Sequence, residues 1–414
     1  MKLLDRLPLI IFSATGLVAL SGCFGNQTEI NPVEPSALGG GYRIYPNDPA
    51  RTDSALKYMA HGVVIPALPG AAYTLNIDAH SSDVPDLRLY RLFPQGDQYG
   101  YATDKLVRAK VNGNEWTYEF QSDHTSFNNW LTVLEKDGER FSGTLTDMHL
   151  SAKGEYGSHL VLNVWIAGMY VPPSSGESSE ELGQKLLSGY RKYYGSAGII
   201  IDTLIVRKAT EHPLAGRHFK DTEFEISKDI GARYDSLGFG LSGASNGALD
   251  LVVVYGFESE GMLGLSPLFG CNLQGGESGV VLLSTHRSSA GMQGFTAVTS
   301  DDMTFTAIHE SGHFLGLRHT TITNRDREVS GDYSTFEDGL TDTPWCPALS
   351  KMVAEDSLAT KPMVVSRYYI ASIVNDVCPD ASNPMFPYSV DGGMDLFTPE
   401  QASILVKNLS LFPH

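Results

Sequence analysis

Apolar and polar positions change texture twice along this chain. From about residue 42 to 152, short segments alternate with period two: GVVIPAL, AYTLNID, DLRLYRL, DKLVRAKV, EWTYEFQ, NNWLTVLE and FSGTLTDMHL. Alternation of this kind predicts half-buried β-strands, and Asn112-Gly113 between two of them predicts a two-residue hairpin. About seven strands in so short a stretch predict a β-sandwich over residues 42–152. His61, His80 and His124 are scattered through it without ligand spacing, so a spacer or binding module is the expectation there.

From about Ser158 the apolar runs become continuous, as in strands buried on both faces: HLVLNVWIAGMY, then AGIIIDTLIVRKA, LDLVVVYGF and SGVVLLSTH. A polar loop from Pro172 to Glu180 and an amphipathic helix carrying Leu182, Leu186, Tyr190 and Tyr194 separate the first two. Residues 209–247 are polar, Gly-rich and without period, and read as a long insertion. The β-α-β order followed by two more strands predicts a mixed sheet packed on helices, an α+β class for the whole chain. Near the end, Thr398-Pro399-Glu400-Gln401 predicts a helix start, with Thr398 as cap, Pro399 in the first position and Gln401 completing a capping box; the helix runs to about Leu409.

The chemistry lies in one run, HESGHFLGLRH, from His309 to His319. His309 and His313 are four apart, so on a helix both imidazoles leave the same face. Gly316 can end the helix in the left-handed conformation, and the reversed chain brings His319 back to complete three nitrogens. Three protein ligands leave one tetrahedral position of zinc open, and Glu310 stands beside the first ligand as a proton acceptor. At ordinary residue frequencies a chance match in a chain this long is roughly one in ten thousand or less, which sets coincidence aside. Phe305, Ile308, Gly312 and Leu315 form an apolar stripe beside the ligand face, and Asp301 and Asp302 sit at the helix start, where acids suit the dipole and can cap.

Composition adds limits. The chain has 414 residues, 42% hydrophobic and 19% charged, enough apolar material for two domains or one large one. A net charge of −18 argues against non-specific nucleic-acid binding. Lys2 and Arg6 precede an apolar stretch from Leu7 to Leu20, which reads as a signal peptide over residues 1–22. Leu20-Ser21-Gly22-Cys23 resembles the lipobox of bacterial lipoproteins, which implies a lipid anchor on Cys23; an ordinary cleaved signal peptide is the alternative. Phe24 after the cysteine points to the outer membrane, and residues 23–41 read as a flexible tether. No later apolar run is long enough to span a bilayer.

Export permits disulfides. Cys346 and Cys378 flank a segment downstream of the histidine run and are paired; Cys271 is then the odd thiol, either buried and inert or able to reach the metal and hold it latent. Asp332, Glu337, Asp338 and Asp342 lie close together in a loop-rich stretch. Such a cluster can hold calcium, with a solvated loop as the other reading.

The pattern HExxHxxGxxH resembles the zinc signature of the metzincin metallopeptidases. That resemblance implies a methionine turn beneath the zinc, for which Asn383-Pro384-Met385-Phe386-Pro387 is the candidate and Met394 the second choice. The order DGLTDTPWCP, Cys378, NPM, FTPEQ looks like the pappalysin branch, over residues 158–414. A cysteine common in that branch just before the final methionine is Gly393 here, and the oxyanion-stabilising tyrosine falls to Tyr388, three residues after Met385. The resemblance implies a zinc endopeptidase of the cell envelope acting on polypeptide substrate. His309, His313 and His319 would be ligands, Glu310 the general base, and Gly279 to Ser284 the edge strand that pairs with peptide. The reading from another class is a non-catalytic envelope lipoprotein with a zinc site, an adhesin or binding protein.

Overall fold

The computed structural model describes most of residues 63–208, 247–320 and 378–411, with a few positions between 340 and 346 and residue 414; the remainder of the chain is outside the description that follows. Cys23, Cys271, Tyr388, Asp332, Glu337, Asp338 and residues 209–246 of the insertion expected over 209–247 lie outside the described residues.

The alternating segments form nine strands: β1 (Val63–Pro66), β2 (Ala72–Asp78), β3 (Asp86–Gln95), β4 (Gln98–Val107), β5 (Lys110–Asn112), β6 (Glu115–Gln121), β7 (Asn129–Lys136), β8 (Glu139–Arg140) and β9 (Asp147–Ala152). They build two antiparallel sheets, one in the order β1-β7-β3-β4 with β8 on β7, the other in the order β5-β6-β2-β9. Period two places Leu87, Leu89, Trp130 and Leu134 of the first sheet in one apolar cluster with Leu75, Ile77, Trp116 and Tyr118 of the second. Leu411, from the far end of the chain, is buried in the same cluster.

The hairpin signal at Asn112-Gly113 is displaced by one residue. Asn112 is still in the strand, paired with Glu115, and the turn is Gly113-Asn114. Gly113 has φ +61° while Asn114 has no positive φ, as a glycine-first type II′ turn requires. A second signal, Asp137-Gly138, joins β7 to β8 with φ of +53° and +84°, the type I′ pattern.

Past residue 158 follow β10 (His159–Ile166), helix α1 (Ser179–Ser196), β11 (Ile200–Lys208), β12 (Leu249–Val254), β13 (Gly264–Leu265), β14 (Gly279–Leu283), β15 (Thr285–Arg287), β16 (Phe295–Ala297), α2 (Ser300–Phe314) and α3 (Pro399–Leu409). The main sheet has the order β11-β10-β12-β14-β13. Its first four strands are parallel and β13 is antiparallel, so the sheet is mixed and the class α+β. The strand expected at the edge, Gly279 onward, is inside the sheet. It pairs with β12 on one side and, through Val281 and Leu282, with β13 on the other. Among the described residues β13 is the edge. The edge expectation came from the resemblance, and two residues are too few to show a period that would have marked β13 beyond it.

Leu162, Val164, Leu251, Val253, Val280 and Leu282 from one sheet face share a core with Leu186, Tyr190 and Tyr194 of α1, Ala307 and Ile308 of α2, and Ile404 and Leu405 of α3. Helix α1 begins with a capping box between Ser178 and Glu181, and α3 with the expected one between Thr398 and Gln401, Pro399 in its first turn. Helix α2 is capped by Thr299, whose hydroxyl accepts from the Asp302 amide; Asp301 and Asp302 occupy the first turn and do not cap it. No helix among the described residues is long and apolar enough to cross a membrane.

Candidate metal centre

Helix α2 carries His309, Glu310 and His313, and its end is built to return the chain. Gly316 has φ +93°, its amide reaches His313 O at 2.9 Å, and the Leu317 amide reaches Gly312 O at 2.8 Å. This pair of bonds is a Schellman motif, which satisfies the last helical carbonyls and reverses the path. Asn408 of α3 donates to a further terminal carbonyl, Leu315 O, at 2.7 Å. The reversal brings His319 opposite the helix. His319 Nε2 lies 3.2 Å from His309 Nε2 and 3.2 Å from His313 Nε2.

Donor chemistry decides what this convergence suits. His309 Nδ1 is 2.7 Å from Pro384 O, and His313 Nδ1 is 2.8 Å from Leu317 O. Each Nδ1 must carry the proton, so each Nε2 presents its lone pair inward. Nitrogens about 2.0–2.1 Å from a tetrahedral zinc stand roughly 3.3 Å apart, close to the separations here. Carbonyl-oriented imidazoles are also the usual outer support of metal-ligating histidine. The three residues fit a zinc ion.

Burial lowers the pKa of all three histidines: His309, with the Pro384 carbonyl opposing; His313, to about 3, helped by His309 and opposed by the Leu317 carbonyl; and His319, helped by both neighbours. They are neutral, as ligands must be. Glu310 is partly buried, and desolvation pushes its carboxyl from 4.5 up to about 8.

The floor is Met385, fully buried beneath Gly312. Met394 is only partly buried and packs against the core, and of the two candidate methionines it is Met385 that lies against Gly312. The Met385 segment is held from several sides. Asn383 Oδ1 accepts from the Met385 amide at 2.8 Å, and the amides of Asn383 and Gln401 bond each other reciprocally at 3.1 and 3.0 Å. The Thr320 amide donates to Met385 O at 3.2 Å, and the Thr320 hydroxyl to buried Asp380 at 2.6 Å. Cys346 and Cys378 are joined by a disulfide, with Cα atoms 4.8 Å apart, two residues before Asp380. Sequence reading missed Asn383, Gln401, Asn408, Thr320 and Asp380 as supports of the site; only the capping role of Gln401 had a local signal.

Asp342, one of the four acids proposed for calcium, caps a helix here. Its carboxylate accepts from the Thr398 hydroxyl at 2.8 Å and the Glu400 amide at 2.8 Å. The other three acids are outside the described residues. Of the scattered histidines, His124 lies 2.6 Å from Asp104, whose same oxygen accepts from the Trp130 indole N–H; it binds the first sheet together.

No protein-family model and no curated protein matches this chain. Among solved structures, an acetyl xylan esterase (Est2A) from the rumen bacterium Butyrivibrio proteoclasticus is similar at 10% identity over 55% of this chain and 61% of that one, with a TM-score of 0.11. A likeness of that size carries no argument about fold or activity.

Proposed function

We propose that this chain is a zinc-dependent endopeptidase of metzincin type, in the pappalysin-like branch, anchored in the outer membrane of the cell envelope through a lipid on Cys23. The observation that carries the reading is the convergence of three neutral imidazoles, His319 Nε2 lying 3.2 Å from both His309 Nε2 and His313 Nε2, at the helix that also carries Glu310.

His309, His313 and His319 would hold the metal, with Pro384 O and Leu317 O fixing the first two rings. Zinc bound there supplies a Lewis acid that makes water nucleophilic near pH 7 and polarises a carbonyl oxygen. Glu310 would accept the proton of the attacking water and return it to the leaving amine. Met385 shapes the floor and takes no part in bond making. Tyr388 stays the candidate for stabilising the oxyanion. Polypeptide substrate would add as a further strand on the outer side of β13, not on the Gly279 strand. The two N-terminal sheets are read as a β-sandwich module over residues 42–152, ahead of a peptidase domain over 158–414.

The test is cleavage of a mixed peptide library by the soluble form from Phe24 onward, beside Glu310→Ala and a zinc chelator. Cleavage by wild type that is lost in both controls supports the reading. Cleavage that survives in Glu310→Ala removes the base assignment, and zinc uptake without any cleavage favours the binding-protein alternative.

A further inference from the structure

Helix α1 does more than cover the sheet. Tyr190 and Tyr194 are fully buried, one turn apart, with rings stacked at 5.1 Å between centroids. Both hydroxyls reach the middle of α2, where the proposed ligands sit. Tyr194 Oη donates to Ile308 O at 2.8 Å. Tyr190 Oη lies 3.1 Å from Ala307 O and 2.6 Å from Ser311 Oγ.

The proton inventory of this cluster resolves itself. Tyr190 has one proton and a carbonyl can only accept, so Tyr190 donates to Ala307 O and Ser311 donates to Tyr190. A serine inside a helix ordinarily bonds back to the carbonyl four residues earlier, which for Ser311 is Ala307. Tyr190 is inserted between the two, so that local bond is replaced by a relay anchored on another helix. Ala307 and Ile308 already accept helical amides; the tyrosines use the second lone pairs. Satisfying α2 does not require them, and filling the core does not either, since phenylalanine fills nearly the same volume. What the hydroxyls add is direction. Apolar packing of two helices tolerates crossing angles scattered by about 15–20°, whereas a hydrogen bond weakens steeply as it bends. The helices also approach closely one position earlier, where a Cβ on Gly189 would strike the Thr304 methyl. His309 and Glu310 lie within the span from Ala307 to Ser311 that these bonds grip, and His313 is two residues beyond it.

We propose that Tyr190 and Tyr194, with Ser311 as relay, are positioning residues that fix the roll of α2 and so set the two helical imidazoles and the Glu310 carboxyl in register with His319. This rests on the reading of the three histidines as a metal centre.

The experiment is zinc and cobalt binding to the metal-free full chain, comparing wild type, Tyr190→Phe/Tyr194→Phe, and Tyr193→Phe. Tyr193 is the control: its hydroxyl leaves the same helix but donates to Met394 O at 3.1 Å, away from α2. Zinc affinity is read by competition with a chelator of known affinity, and ligand geometry by the cobalt absorption bands. The expected result is one zinc per wild-type chain, a loss of about 10–100-fold in affinity with shifted cobalt bands in the double variant, and wild-type behaviour in Tyr193→Phe. A folded double variant with unchanged affinity and unchanged bands overturns the proposal. If the double variant does not fold, Ser311→Ala is read by the same two criteria. A wild-type chain that takes up no metal removes the metal-centre reading and this proposal with it, so the wild-type and variant arms separate the two failures.

Discussion

Met385 sits so close beneath Gly312 that a Cβ on residue 312 would run into its sulfur. The glycine is needed for space, since residue 312 has ordinary helical geometry. Gly312→Ala should therefore destabilise by about 1–3 kcal/mol, in spite of alanine's better helix propensity. In a Met385→Ala background the same change should cost less, with a coupling of roughly 1 kcal/mol or more in a double-mutant cycle. Denaturant unfolding of the four proteins measures it; additive costs would show that the two residues do not contend for this space.

Acidity offers a second check. Glu310 in the folded, metal-free protein is pushed up to about 8 by burial, above its unfolded value of 4.5. The folded state therefore holds a proton that the unfolded chain releases. This contribution is full below about pH 4.5 and is lost as pH rises through about 8. The histidines act oppositely: with folded pKa values lowered by burial, their contribution is present above 6.5 and lost as pH falls, for His313 toward about 3. In metal-free protein, Glu310→Gln should raise Tm at pH 9 relative to wild type by at least roughly 2–4 °C, and by much less at pH 5. An equal difference at both pH values would show that Glu310 does not titrate in this window.

Asn408 ties α3 to the end of α2 through Leu315 O. Both groups are buried, so Asn408→Ala strands a carbonyl and should cost about 1–3 kcal/mol. Calorimetry on the zinc-loaded protein is the measurement. A Tm equal to wild type would mean the carbonyl finds another donor.

Reduction of the Cys346–Cys378 bridge should loosen the metal centre as well as the fold. The bridge closes a loop with a sequence separation of 32, for which chain entropy gives a stabilisation of about 3–4 kcal/mol. Cys378 is two residues from Asp380, which holds Thr320, the neighbour of His319. Zinc release to a chromophoric chelator should be faster in Cys346→Ser/Cys378→Ser than in wild type. Equal release rates would show that the path from the bridge to His319 carries no load.

What was legible in the sequence follows the range of the interactions concerned. His309, His313 and His319 could be placed because helix geometry and one reversing glycine set their spacing, all within eleven residues. The strands showed through alternation and long apolar runs, and α3 through Thr398, Pro399 and Gln401, each a local signal. The misplacements are also physical. The resemblance puts the edge at β14, and β13, with two residues and no period, gives no local sign that it lies outside it. The turn at Gly113 follows its type and not the dipeptide, which moved it by one position. Phe305 looked like part of the buried stripe of α2, but Met303, Thr304 and Ala307 are the residues turned inward with Ile308. Nothing local marks Asn383 as the partner of Gln401, or Tyr190 as the partner of Ser311. An amide or a phenol reads the same in sequence whether it meets water or a distant carbonyl.

Leu411 adds a consequence for how the chain acquires its shape. Its side chain is buried in the apolar cluster shared by the two N-terminal sheets, although those sheets are built from residues that precede it by more than half of the chain. Just before it, α3 buries Ile404 and Leu405 in the other core. A chain that emerges from one end thus exposes its first sheets with a gap in their interior until the last helix arrives. Contacts so distant in sequence form late and slowly, and an incomplete β-core is prone to pair with others. Maturation of the front of this protein is coupled to docking of its tail, so that assembly is finished in both halves by the same closing step.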